Sequence, residues 1–102
     1  MNYISFLLPQ IVMLCQKHNV NKLYVFGSVL NNNFNEQSDI DLIVDFDKQK
    51  VTDYFNNYFD FKYSLEDVFG RKVDLLEEKP IKNKYLKESI DNSKQLIYGE
   101  QN

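Results

Sequence analysis

From Asp39 to Phe46 the chain alternates in character, with Ile40, Leu42, Val44 and Phe46 on one side of an extended backbone and Asp39, Asp41, Ile43 and Asp45 on the other. A helix would scatter these residues around its circumference, so the segment predicts a strand with one apolar face. Leu23, Tyr24, Val25 and Phe26 form a second run, apolar on both sides and halted by Gly27, as expected of a strand covered on both faces. Strands of this kind need helices packed on them. Leu8, Ile11, Val12 and Cys15 recur at helical spacing, with Pro9 in the first turn and Lys17, His18 and Asn19 closing the segment. Val51, Tyr54, Phe55, Tyr58, Phe61, Leu65 and Val68 repeat that spacing up to Gly70, as one long helix or a kinked pair. Val73, Leu75 and Leu76 around Asp74 predict a third strand, Pro80 opens a polar helix carrying Leu86 and Ile90, and Leu96 to Tyr98 add a last short strand. Elements in this order predict an α+β or α/β fold, a small mixed sheet flanked by helices.

No repeat, Gly/Ser-rich linker or long block of one charge divides the 102 residues, so a single domain over residues 1–102 is expected. A chain of this size buries about two-thirds of its unfolded surface and can build a core without staples. Cys15 is alone, cannot form an internal disulfide, and falls on an apolar helix face, where a buried and unreactive thiol is expected. The apolar stretch from Ile4 to Cys15 follows no basic residue and is too short to span a bilayer, so a cytoplasmic location without membrane contact is expected. The net charge is -3, and Arg71 is the only arginine among 12 basic residues, which argues against a nucleic-acid surface. An acidic protein that handles phosphates needs a cation as mediator.

Aspartate is disfavoured in strands, yet Asp39 and Asp41 stand two residues apart and so share a face. Two carboxylates roughly 6 to 7 Å apart repel by about 2 to 3 kcal/mol at an effective dielectric of 20, before screening. A divalent cation between them reverses the sign. Magnesium suits such a pair, because one or two carboxylates hold it while phosphates and water complete its octahedron. Upstream, Gly27 lets the backbone turn sharply toward a phosphate, and the Ser28 hydroxyl and the following amides can donate to phosphate oxygens.

Taken together, FGSVLNNNFNEQSDIDLIV resembles the signature of the DNA polymerase beta superfamily of nucleotidyltransferases: Gly27-Ser28, a spacer of residues 29–38, then Asp39-x-Asp41 between apolar residues. GRKVDLLEEKPIKNKYLKESI is similar to the end of the minimal bacterial members, which places Asp74 as a third carboxylate on a neighbouring strand. The resemblance implies a nucleotidyltransferase-like fold in which Gly27 and Ser28 bind nucleotide. It also implies that Asp39, Asp41 and Asp74 hold two magnesium or manganese ions, with Asp74 helping to deprotonate an incoming hydroxyl. The implied substrate is ATP or another nucleoside triphosphate. The implied partner is a small helical HEPN-like protein, in a toxin-antitoxin pair whose antitoxin is the transferase. One departure stands out. Minimal members carry an Arg-Gly pair shortly after Gly-Ser, where this chain has Asn31 and Asn32.

Two rival readings are a module of this fold that neutralises a partner by contact alone and a metal-dependent nuclease, the latter disfavoured by the acidic surface. Arg71 and Lys72, near Asp74, are expected to be solvated strand-end charges, as are Asp45 and Asp47, and His18 is expected to be structural at a helix end. Tyr54, Phe55, Tyr58, Phe59, Phe61 and Tyr63 exceed what one helix face can bury. The surplus is expected to dock a partner and place its hydroxyl beside Asp74.

Overall fold

The computed structural model describes residues 2–26, 39–77, 85, 88 and 94–99. Helix α1 (Asn2–Lys17) starts well before the expected first turn, because Ile4 and Leu7 extend the apolar face formed by Ile11 and Cys15. Pro9 therefore sits inside the helix, a correction to its placement in the first turn. The bond it cannot make is to the Ser5 carbonyl, and both residues lie at the exposed surface, where water can serve that carbonyl instead. Burial pushes the Cys15 thiol up to about 12, consistent with an unreactive core cysteine.

Asn19 ends the helix at φ 57°, the left-handed turn for which Asn is the usual substitute for Gly. The buried His18 joins this end to the second helix. Its Nδ1 lies 2.8 Å from the Leu14 carbonyl and its Nε2 lies 2.5 Å from Asp60 Oδ2. The contact with Asp60 spans 42 residues of sequence and ties the two helices together. The same hydrogen bond holds the Asp60 carboxyl below the usual carboxylate range.

Strand β1 (Val20–Phe26) leads, by way of residues outside those described, to β2 (Ile40–Phe46). Helix α2 (Tyr54–Phe69) is one continuous helix. Asp53 caps its start by accepting from the Asn56 amide at 3.2 Å, and Val51 lies in the turn before it. Gly70 closes it at φ 70°, its N–H donating to the Glu66 carbonyl at 2.8 Å. Strands β3 (Val73–Glu77) and β4 (Gln95–Tyr98) complete a sheet of order β3-β2-β1-β4, parallel between β2 and β3 and antiparallel elsewhere. The helix expected after Pro80, with Leu86 and Ile90, lies outside the described residues.

Both helices cover one face of the sheet. Ile4, Leu7, Ile11 and Cys15 from α1 and Phe61, Leu65 and Phe69 from α2 meet Leu23, Val25, Ile40, Leu42, Val44, Phe46, Val73 and Leu75 in one core. Tyr24 and Ile43 form a smaller buried cluster with Phe26 and Leu96 on the opposite face. Residues 23 to 25 are thus buried on both faces, as their unbroken apolar run requires. At the β3 edge, Glu66 accepts the Val73 amide at 3.0 Å and the Tyr58 hydroxyl donates to the Leu75 carbonyl. These bonds occupy outward-facing backbone groups that would otherwise invite another strand.

Two glycines carry unequal constraints. A Cβ on Gly70 would meet nothing within 4 Å, whereas one on Gly99, at φ 101°, would stand 2.2 Å from the Asn21 carbonyl oxygen. Gly70→Ala should cost about 1 kcal/mol of backbone strain. Gly99→Ala should cost about 3 kcal/mol or more, since β4 must also move away from β1. Urea unfolding of the two variants checks the order, and equal losses would show that the chain end adjusts freely.

The α2 aromatics divide by position. Phe61 is fully buried, Tyr54, Tyr58 and Phe59 are half-buried, and Phe55 and Tyr63 are exposed. Phe55, Phe59 and Tyr63 stack along the helix with centroids 4.9 and 6.0 Å apart.

Candidate active site

The carboxylates gather at one end of the sheet because of strand register. In the parallel pairing of β2 with β3, Asp41 stands directly opposite Asp74, and across the other edge of β2 it faces Phe26. Asp39, two residues earlier, shares Asp41's side of the backbone just before β2 begins. Since Ile40, Leu42, Val73 and Leu75 point into the helix-covered core, the three Asp side chains belong to the opposite face. Asp39 and Asp74 are exposed, and Asp41 is partly buried between them.

Burial raises the Asp41 carboxyl above its ordinary value, and the charges of Asp74 and then Asp39 raise it further. A positive charge beside Asp41 would offset both its burial and the repulsion from its two neighbours. Among the described residues no three His, Cys, Asp or Glu side chains converge into a ready-made metal cage. Carboxylate oxygens are hard donors of the kind magnesium and manganese take, alongside phosphate and water.

Gly27, Ser28, Asn31 and Asn32 lie outside the described residues. Strand β1 ends at Phe26, opposite Asp41 in the carboxylate row. Asp45 and Asp47 are partly buried rather than fully solvated, and Asp47 organises the turn after β2 by accepting from the Gln49 amide at 3.2 Å. Lys72 is exposed and continues the β3 ladder, its carbonyl accepting the Ile40 amide at 3.0 Å.

Sequence reasoning passed over Lys94. Its Nζ stands 4.4 Å from the centroid of the Tyr24 ring, and Tyr24 pairs with Ile43 on the carboxylate face. A single Lys ahead of a short strand gives no sequence signal, and only the register shows where it goes. A surface cavity of about 570 Å³ lies at the other end of the sheet, lined by Asn19, Lys50, Asp53, Asn57 and Tyr63 among others, and includes none of the three aspartates.

The α2 aromatics approach the carboxylates only at the β3 edge, where burial and then the charges of Glu77 and Asp74 raise the Tyr58 hydroxyl above its ordinary value. Helix α2 covers the core face, so the sheet stands between the Phe55, Phe59 and Tyr63 string and the carboxylates. A partner resting flat on the string would meet the wrong face, and only one that wraps around the β3 edge could touch both.

The arrangement of a mixed sheet with helices on one face and paired carboxylates on the other coincides with a family assignment. The family model described as polymerase beta, nucleotidyltransferase, matches residues 9–102. The chain belongs to this nucleotidyltransferase family. A protein of Methanocaldococcus jannaschii, provisionally named a protein adenylyltransferase, is 40% identical over 86 residues, covering 84% of this chain and 83% of the relative. A solved structure provisionally described as a minimal nucleotidyltransferase superposes with a TM-score of 0.72 at 26% identity, covering 90% of each chain. A Shewanella oneidensis complex, described as a tri-AMPylated HEPN toxin with its MNT antitoxin, gives a TM-score of 0.65. At 18% identity, covering 95% of this chain and 73% of that one, it shows the shared fold alone. The nucleotidyltransferase fold expected from Gly-Ser and Asp-x-Asp is the fold observed. Among the described residues no helix is long and apolar enough to cross a membrane.

Proposed function

We propose that this nucleotidyltransferase moves AMP from ATP onto a hydroxyl of a partner protein, as the antitoxin of a pair whose toxin is a small helical HEPN-like chain. The observation that carries the reading is the register that sets Asp41 beside Asp74, with Asp39 on the same face. Magnesium or manganese, bound with the triphosphate between Asp39 and Asp41, would supply charge to the reacting phosphoryl group and the departing pyrophosphate. The protein's own residues position that charge. Asp41, central and partly buried, anchors the row, and Asp39 shares the cation load from the exposed end. Gly27 and Ser28 bind the triphosphate.

Asp74 takes the proton of the acceptor hydroxyl as its oxygen bonds to the α-phosphorus. The bond from that phosphorus to pyrophosphate breaks, and pyrophosphate leaves with the electron pair. All of this takes place in a single domain of residues 1–102 that acts in the cytoplasm. The M. jannaschii relative's name supports the adenylyl donor and a protein acceptor, and the Shewanella complex supports the class of partner. A contact-only module remains the rival, favoured by Asn31 and Asn32 in place of a phosphate-side cation.

Co-expression with the product of the adjacent gene, followed by incubation with ATP and magnesium, should add the mass of one AMP less water per modified group. Intact-mass analysis reads the adduct. A stable complex without any adduct, under every nucleotide and metal tried, would favour the contact-only module. Failure of the two chains to associate would remove the paired reading.

A further inference from the structure

The geometry points to Lys94 as the group that receives the charge of the departing pyrophosphate, a role that rests on the nucleotidyl-transfer reading above. Strand β4 runs antiparallel to β1 with Tyr24 opposite Leu96 and Val25 opposite Gln95. One further step along that register sets Lys94 opposite Phe26, which itself stands opposite Asp41, which stands opposite Asp74. A single row across the sheet therefore reads Lys94, Phe26, Asp41, Asp74. The side chain confirms the face, because Lys94 Nζ lies 4.4 Å from the Tyr24 ring centroid and Tyr24 shares the face of Ile43 and the carboxylates. One strand spacing and two residue rises put the Cα positions of Tyr24 and Asp41 about 8 Å apart.

Phosphoryl transfer requires the attacking and leaving oxygens to lie in line on opposite sides of phosphorus. On the transfer reading Asp74 at the β3 end serves the attacking hydroxyl, and Asp41 is the next carboxylate along the row. The leaving pyrophosphate must then extend away from Asp74, toward β1 and β4. That direction ends at Lys94. The electron pair of the breaking bond goes onto pyrophosphate, and an ammonium there meets the negative charge as it grows.

Lys94→Met keeps an apolar stem over Tyr24 and removes the charge, while Lys94→Arg keeps both. Calorimetric titrations with ATP and with AMP, each with magnesium, should show Lys94→Met binding ATP about tenfold more weakly, or about 1.4 kcal/mol. AMP, which lacks the leaving phosphates, should bind with little change, and Lys94→Arg should retain most of the ATP affinity. Equal weakening for both nucleotides with a lowered melting temperature would overturn the assignment and leave Lys94 as a cover for Tyr24. ATP binding unchanged in Lys94→Met would sink this assignment alone. No metal-dependent ATP binding by the unaltered protein would sink the transfer reading along with it.

Discussion

Replacing Asp41 with Asn should lower nucleotidyl transfer by roughly a thousandfold, about 4 kcal/mol of transition-state stabilisation, while the chain stays folded. The size of the effect follows from position. Asp41 is opposite Asp74 and two residues from Asp39, so it is the one carboxylate that can share a cation with either neighbour. The amide keeps the shape and removes the charge, so metal-dependent ATP binding should disappear in calorimetry.

Stability should move in the opposite direction. The Asp41 carboxyl is raised in the folded protein by burial first and by Asp74 and Asp39 next. The folded state therefore binds this proton more tightly than the unfolded chain, and stability falls as pH rises from the ordinary Asp range through the raised value. At neutral pH the charge costs stability that Asn does not. Asp41→Asn should melt a few degrees above the unaltered protein in chelator, and magnesium with ATP should narrow or reverse the gap. A variant that melts lower in chelator would show that the carboxylate makes a structural bond. The same shift predicts that metal-dependent ATP binding weakens on acidification at a pH above that expected of a free aspartate.

The parts of this arrangement that the sequence carried are those with a period. Alternation from Ile40 to Phe46 assigned the core face and the acidic face correctly, because a one-residue slip would have buried the aspartates. The unbroken run at Leu23 to Val25 likewise foretold burial on both sides. What the sequence could not carry is pairing between distant segments. Nothing local says that Asp41 faces Asp74 rather than Leu76, that Lys94 ends the same row, or that His18 meets Asp60 across 42 residues. The early start of α1 was missed because Pro9 reads as a helix opening, whereas burial of Ile4 and Leu7 outweighs the bond it forgoes. The aromatic excess on α2 was visible as a count, but which face of the sheet it occupied followed only from α2 packing on Phe46 and Leu75.

Asp74→Asn should separate chemistry from binding. Asp74 is exposed on the edge strand β3, at the end of the row. If it accepts the hydroxyl proton, transfer should fall roughly a hundredfold or more while the affinity for ATP with magnesium weakens severalfold at most. Single-turnover adenylylation of the partner measures the first quantity and calorimetry the second. Comparable losses in both would make Asp74 a plain metal ligand, and no loss in either would return it to an ordinary strand residue. The β3 edge itself should stay intact in the variant, because Glu66 and Tyr58 hold Val73 and Leu75 through the backbone and not through the Asp74 side chain. A raised pH should partly restore the slow reaction, since solvent hydroxide can take the proton that Asn cannot, whereas a lost metal ligand would not be compensated in that way.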